Sequence, residues 1–288
     1  MYWDVSILAA IGAMLCWGVG DFFIQRTTRK IGDIETIAFM SAIGAIGLTP
    51  FILSDIPLLF EFQNILIIFI LSIAALVAAV LNFEALKQGK LSVIDVVLEI
   101  EIPVTVILGF LFFQESLSIV QVSVIGFMMA GITLIATGHG PLKLRKVVIE
   151  KGVFLAVLAA IAMGFVNLLT AVGSRQISPL MIIWTPWTIA AIMSFIFLMK
   201  RDGIHKTIKN ASKFKSLILA MGIFETAAWL LFAIAVFNNM LSITIAITES
   251  FPAVALLLGL WINKERITKY QYAGAVITLI SCFFLGLK

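Results

Sequence analysis

Carboxylic acids occur inside the apolar stretches of this 288-residue chain, where ionisable groups are costly and are functional candidates by default. No Lys or Arg is securely placed within the same stretches to neutralise them. A carboxyl group at low dielectric takes up a proton unless it faces water, a proton pathway or a cation. The acids beyond the first three residues of the predicted membrane spans are Asp21, Glu84, Asp95, Glu99, Glu101, Glu225 and Glu249.

Depth separates these acids into two groups. Four lie about nine residues into their predicted helices, hence roughly 12–15 Å deep at 1.5 Å per residue. These four are Glu99, Glu101, Glu225 and Glu249. Asp21, Glu84 and Asp95 lie nearer helix ends and could instead reach the membrane surface. In a continuous helix Glu101 stands about 200° from Glu99, so we expect one of that pair to point away from a cavity.

Composition identifies the chain as an integral membrane protein. It is 61% hydrophobic and 12% charged, with a mean hydropathy of +1.12, whereas soluble domains carry about 25% charged residues. The net charge of +4 is spread over short connections, which argues against a nucleic-acid-binding face. Cys16 and Cys282 show neither metal-ligand spacing nor support for a disulfide, and no cofactor motif occurs.

Ten apolar segments are long enough to cross the hydrocarbon, which takes about 20 helical residues. The first segment is expected to be retained, because it has neither a basic n-region nor a cleavage site. The predicted spans are residues 4–24, 33–54, 64–86, 92–113, 118–137, 152–172, 179–199, 216–237, 241–262 and 268–287. The connections are too short for a folded domain, so we expect the function to lie within the helices.

The chain contains two related halves. Residues 91–118, "LSVIDVVLEIEIPVTVILGFLFFQESLS", match residues 241–268, "LSITIAITESFPAVALLLGLWINKERIT", at a constant offset of 150. Glu99 thereby corresponds to Glu249. A weaker match pairs Gly18 with Gly164 and Asp21 with Asn167. The two predicted five-helix units are residues 1–140 and 150–288.

The basic residues are distributed as an inverted repeat requires. Eighteen of the 20 Lys and Arg residues lie in odd-numbered connections, and the other two are Arg175 and Lys288. By the positive-inside rule this side is cytoplasmic, so we expect both termini on the other side of the plasma membrane. Inverted repeats are typical of secondary transporters, whose substrate site lies near the midplane between the repeats.

Gly18-Val19-Gly20-Asp21 resembles the G-x-G-D motif of presenilin-like intramembrane aspartyl proteases. Such a protease needs a second aspartate on a neighbouring helix, because two carboxyl groups must share one proton. In that family the second aspartate lies on the preceding helix, but here the motif is on the first predicted helix. Beyond the first residue of each span, the other Asp is Asp95, and no Pro-Ala-Leu motif follows. We therefore do not expect a protease.

Three stretches resemble the EamA-like members of the drug/metabolite transporter superfamily. "LCWGVGDFF" is similar to that family's first-helix pattern, which opens with Trp-Gly. "IPVTVILGFLFFQESLSIVQ" and "FPAVALLLGLWINKERITKYQ" are both similar to its signature of a proline, a small-residue helix and an edge Glu. The resemblance covers the whole chain. It implies an all-α integral membrane protein with ten transmembrane helices as two inverted five-helix repeats around a central cavity.

The repeat and the resemblance together select candidate site residues. We expect Glu99 and Glu249, as repeat mates, to face the central cavity; the alternative is a protonated Glu bonded to a neighbouring helix. Trp184 and Trp187 flank Pro186 and could form an aromatic wall for a cation or simply pack. The predicted substrate- or proton-binding residues are Glu99, Glu249, Glu225, Trp17, Asp21, Asp95, Asn167 and Trp187.

Two further pairs carry structural expectations. Pro103 and Pro252 interrupt backbone pairing in the predicted fourth and ninth helices, and they either free carbonyl groups for a ligand or form packed kinks. Glu115 and Glu265 lie at membrane edges. We expect them to cap the helices that follow them or to pair with nearby basic residues.

The sequence predicts a secondary active transporter of a small metabolite that works by alternating access. The excess of carboxyl groups favours proton-coupled export of an amino acid, an amine or a cationic drug. A sugar or nucleotide-precursor carrier is the alternative within transport, and an intramembrane enzyme or a non-transporting scaffold is the alternative from another class. The expected partners are the solute, the lipid bilayer and protons, without cofactor, metal or nucleic acid. The oligomeric state stays open.

Overall fold

The computed structural model describes residues 4–88, 94, 97–137, 151–200, 204–262 and 267–287, and these residues are helical apart from short turns. We number the α-helices in chain order. They are α1 Val5–Ile31, α2 Asp33–Leu48, α3 Phe62–Gln88, α4 Glu101–Phe113, α5 Ile119–Thr137, α6 Lys151–Gln176, α7 Pro179–Lys200, α8 Ile204–Lys213, α9 Lys215–Asn238, α10 Leu241–Thr248, α11 Phe251–Ile262 and α12 Lys269–Gly286. Two 3-10 turns, Thr49–Phe51 and Ile56–Phe60, join α2 to α3.

Eight segments of the described chain are long and apolar enough to cross a membrane. They correspond to eight of the ten predicted spans, with α10 and α11 together forming one segment, Leu241–Ile262. For the other two spans the crossing stays a prediction. α4 is apolar but only 13 residues long, and part of predicted span 92–113 lies outside the described residues. α12 opens with the polar sequence "KYQY".

The connection at 200–215 contains a helix that the sequence analysis did not predict. This helix, α8, has the sequence "IHKTIKNASK", and its apolar residues gather on one face. Within it Ile208 and Lys209 are exposed, whereas Thr207 is fully buried. A short basic amphipathic helix of this kind is typical of the membrane surface, so it fits the basic side of the protein.

Helices from the two halves contact each other reciprocally. α1 packs along α9, and α3 packs along α6. Counting only the long apolar helices, the first helix of each half therefore lies against the third helix of the other half. α2 packs against α7, and α5 packs against α12; each of these pairs joins equivalent helices. Reciprocal contacts of this kind are what a twofold relation between two similar units produces.

The equivalent helices α2 and α7 run antiparallel. The rings of Phe39 and Phe195 lie 6.0 Å apart. Further along α2 and further back along α7, the indole N–H of Trp184 donates to the Ala45 carbonyl and to the Thr49 hydroxyl, each at 3.0 Å. Trp184 therefore links α7 to α2 by hydrogen bonds and has a packing role.

The equivalent helices α5 and α12 also run antiparallel. The Gln271 side-chain amide, near the start of α12, donates to the Ile135 carbonyl near the end of α5 at 3.2 Å. Further along α12 the contact moves back along α5, because a Cβ atom on Gly131 would meet Thr278 Oγ1 at 2.5 Å. Small residues at such a crossing let two membrane helices approach closely.

Glycines permit close approach at two further equivalent points. A Cβ atom on Gly18 in α1 would lie 2.5 Å from the Val254 Cβ in α11. A Cβ atom on Gly164 in α6 would lie 2.5 Å from the Val104 Cγ1 in α4. The first glycine of the G-x-G-D stretch therefore belongs to a helix crossing, and its repeat mate forms the same crossing in the other half.

Candidate functional site

A cavity of about 610 Å³ lies between the two halves of the protein, and we call it the acidic cavity. Its wall contains five carboxyl groups, from Asp21, Glu99, Glu101, Glu225 and Glu249. Within the described part of the chain no Lys or Arg lines it. The cavity is therefore suited to protons or a cation.

Breaks at equivalent points in two helices place acids in the wall of the acidic cavity. The second half breaks at Glu249–Ser250, between α10 and α11, and the first half breaks at Glu99–Ile100, just before α4. Each break is a tight turn, closed by a backbone hydrogen bond to the third preceding residue, 3.2 Å at Ser250 and 3.1 Å at Ile100. Broken helices with a polar residue at the break are a recurring way to build a binding site inside a membrane.

Prolines follow both breaks. Pro103 lies in the first turn of α4, and Pro252 lies in the first turn of α11. A proline suits the first turn, because its missing N–H would have no partner within the helix there. Both helices are interrupted as predicted, although each interruption begins at a glutamate three or four residues before the proline.

Glu101 faces the same cavity as Glu99, contrary to the orientation expected from helical spacing. That expectation assumed a continuous helix, but the turn at residues 99–100 changes the angle between the two side chains. Glu101 Oε1 accepts a hydrogen bond from the Asn167 side-chain amide at 2.7 Å, and the same amide donates to Thr105 Oγ1 at 3.2 Å. Glu101 is therefore bonded to α6, a helix of the other half.

Glu225 lies in the α9 wall of the acidic cavity and is 7% exposed. Its Oε2 atom has no hydrogen-bond partner among the described residues. A Cβ atom on Gly20 would lie 3.0 Å from this oxygen, so the second glycine of G-x-G-D makes room for the carboxyl group. Trp17 and Trp229 line the cavity nearby, with ring centroids 5.2 Å apart at an interplanar angle of 89°.

The carboxyl groups are close enough to interact with one another. Glu249 interacts electrostatically with Glu101, Glu99 and Asp21, and Glu225 interacts with Asp21. Several like charges cannot all stay ionised together at low dielectric. The cavity must therefore hold protons or a compensating cation.

The remaining predicted site residues lie in different places. Asn167 lines the acidic cavity, where it bonds Glu101. Trp187 lines a neighbouring, mostly apolar cavity instead. Asp95 lies outside the described residues. Glu84 accepts a hydrogen bond from Gln88 on its own helix and does not line the acidic cavity.

Glu115 caps a helix of the opposite half, whereas we expected it to cap the helix that follows it. Its Oε1 accepts the Leu241 N–H at 2.5 Å, and its Oε2 accepts the N–H and the hydroxyl of Ser242 at 2.9 and 2.6 Å. The following helix, α5, is capped by Ser118 and Gln121. Glu115 thus anchors the start of α10, the segment that ends at the Glu249 break.

Arg175 stabilises this anchor, a role that the sequence analysis missed. Its guanidinium group lies 3.9 Å from Glu115 Oε1 and 3.9 Å from the centre of the Phe113 ring. It also donates to the carbonyls of Val236 and Asn239 at 2.9 and 2.7 Å. A sequence signal did exist, because Arg175 is the one internal basic residue in an even-numbered connection.

Two matching halves of membrane helices around an acidic cavity define the architecture of a multi-pass membrane transporter. The chain belongs to the EamA-like transporter family, whose sequence profile matches residues 4–137 and 150–287. The members of this family are membrane transporters of small molecules.

Comparison with solved structures agrees at the level of the fold. A crystal structure described only as that of a protein superposes with a TM-score of 0.75. The two chains are 14% identical, and the match covers 96% of this chain and 94% of the other. No curated protein sequence matches this chain.

Proposed function

We propose that this protein is a secondary active transporter that exports a small cationic or zwitterionic solute from the cell in exchange for protons. The acidic cavity is the observation that carries the proposal. Five carboxyl groups line it, and no basic side chain does so among the described residues. An ammonium group is attracted to such a wall, whereas an anion is repelled. Amines, amino acids and cationic drugs are therefore favoured as solutes over phosphorylated metabolites.

The coupling step is competition for the carboxyl groups of Glu99 and Glu249. A carboxylate can hold a proton or the cationic group of the solute, but not both at once. Proton entry from outside then displaces the solute, and solute entry from inside displaces the proton. The two helix breaks support this role, because each places one of these glutamates in the wall of the acidic cavity.

Alternating access in this proposal rests on two inverted units, residues 1–140 and 150–288. The antiparallel packing of α2 with α7 and of α5 with α12 supports inversion, since an axis along the membrane normal would make equivalent helices parallel. The division of basic residues supports it independently. The acidic cavity then opens to each side of the plasma membrane in turn, and both chain termini lie outside the cell.

A thermal-shift screen of the purified protein tests the solute class. Amines and amino acids should raise the melting temperature, because a ligand that binds only the folded state stabilises it. Neutral sugars and nucleosides should not. The Glu99→Gln/Glu249→Gln double variant should lose the shift, whereas Glu61→Gln, at an exposed position outside the cavity, should keep it. Stabilisation by sugars or nucleosides alone would establish the alternative carrier instead.

A further inference from the structure

A second cavity of about 330 Å³ adjoins the acidic cavity, and we call it the apolar cavity. It lies among α2, α3, α6 and α7. Ala78, Asn82, Met163 and Trp229 line both cavities, so the two spaces meet at these side chains. A single solute can therefore extend from one cavity into the other.

The two cavities differ in charge at a pair of positions that correspond in the repeat. At the repeat offset of 150, Glu225 in α9 corresponds to Ala75 in α3. Glu225 faces the acidic cavity, whereas Ala75 and Ala79 face the apolar cavity. Within the described chain no acidic or basic residue lines the apolar cavity. It therefore favours an uncharged, apolar group.

Asn82 marks the boundary between the cavities. Its side-chain oxygen is buried and has no hydrogen-bond partner among the described residues. A buried acceptor without a partner costs free energy, which a ligand donor can restore. An ammonium group has three donors and no acceptor, so it fits an acceptor placed at the edge of the acidic cavity.

We infer that the transported solute is an amphipathic amine, with its ammonium group in the acidic cavity beside Asn82 and its apolar body in the apolar cavity. This inference rests on the proposed function and narrows its solute class. A zwitterionic amino acid fits less well, because its carboxylate would lie against carboxyl groups. Trp187 and Trp229 give the apolar cavity aromatic walls that suit alkyl or aryl bodies.

Calorimetric titration of the protein in lipid nanodiscs tests the placement of the apolar body. The ligands are butylamine, hexylamine and octylamine, with the matching alcohols as uncharged controls and empty nanodiscs as the blank. Affinity should rise about fourfold for each added methylene that enters an apolar site. The alcohols should bind far more weakly at each length, because they lack the ammonium group.

Three single-residue variants of α3, one of them a control, test this inference against its alternatives. Ala79→Leu places a larger side chain in the apolar cavity, so the gain in affinity from butylamine to octylamine should disappear. Val80 is 58% exposed and lines neither cavity, so Val80→Leu should keep the increase in affinity with alkyl chain length. Asn82→Ala should weaken all three amines by the same factor.

The outcomes distinguish the two levels of the proposal. If butylamine binds but the Ala79→Leu variant keeps the full increase in affinity from butylamine to octylamine, the apolar body lies elsewhere and this inference is wrong. The proposed function then still stands. If neither these amines nor the amino acids of the thermal-shift screen bind, the proposed solute class is wrong as well.

Discussion

The two helix breaks, at Glu99–Ile100 and at Glu249–Ser250, have the same backbone turn but different numbers of acidic residues around it. Both place a glutamate in the acidic cavity, and both are followed by a proline in the next helical turn. At the position equivalent to Glu101, however, the second half has Phe251. At the position equivalent to Asp21, the second half has Asn167.

This difference shows that the repeat preserves the backbone but not the charges. Asn167 donates to Glu101, so in the first half an acid next to the break is bonded to a neutral amide. Glu249 receives no such bond from a described side chain and instead interacts with Glu101, Glu99 and Asp21. The two sides of the acidic cavity are therefore chemically unequal.

Loss of the anchor in front of the second break should have the largest effect on stability. Glu115→Ala removes the acceptor for Leu241 and Ser242 and leaves the charge of Arg175 without its carboxylate. Arg175 is 26% exposed, so the main cost comes from the buried donors of Leu241 and Ser242 that lose their acceptor, about 1–3 kcal/mol for each donor. The free energy of unfolding, measured by denaturation in detergent, should fall by about 3–5 kcal/mol.

A control at the exposed Glu61 isolates the contribution of the buried anchor. Glu61→Gln keeps the oxygen that accepts from Asn64, so it should change the same free energy by less than about 0.5 kcal/mol. Equal destabilisation by Glu115→Ala and Glu61→Gln would show that the anchor contributes nothing to stability.

Enlarging the glycines at the two helix crossings should have a smaller and symmetric effect. Gly18→Ala and Gly164→Ala each introduce a methyl group where a neighbouring valine already lies, and overpacking costs about 1–3 kcal/mol. Gly126→Ala should be neutral, because no atom lies within 4 Å of the added methyl group. Thermal denaturation of the three variants measures the comparison.

A compensating substitution checks the cause of that loss. Val104→Ala removes the Cγ1 atom that Gly164→Ala would meet at 2.5 Å, so the double variant should regain much of the lost stability. If the double variant loses the sum of the two single effects instead, close approach is not what requires glycine at position 164.

Several features were predictable from the sequence because they depend on local pattern. Runs of about 20 apolar residues mark the spans. The offset of 150 marks the repeat, and buried acids mark a candidate site. The direction of Glu101 was not predictable, because a two-residue turn cannot be distinguished from continuous helix in an apolar run. The partner of Glu115 was not predictable either, because it lies 126 residues away in the chain.

Neutralising Glu101 should have the smallest effect of these changes. In Glu101→Gln the side-chain oxygen still accepts the Asn167 hydrogen bond, so stability should change by less than about 1 kcal/mol. Proton-driven transport should persist, because the bonded Glu101 is not the coupling group. If a Glu101→Gln variant folds normally but its transport no longer responds to a pH gradient, Glu101 is itself a coupling group.

Proton movement in reconstituted vesicles tests the central claim most directly. A pH-sensitive dye inside the vesicles reports proton movement. When an amine that the protein binds is added outside vesicles with the wild-type protein, protons should move in the direction opposite to the amine. Glu249→Gln or Glu99→Gln should abolish this exchange and pH-driven accumulation, while downhill amine exchange continues. If both single variants and the double variant move protons as the wild type does, neither glutamate couples transport, and the proposed competition between proton and solute is wrong.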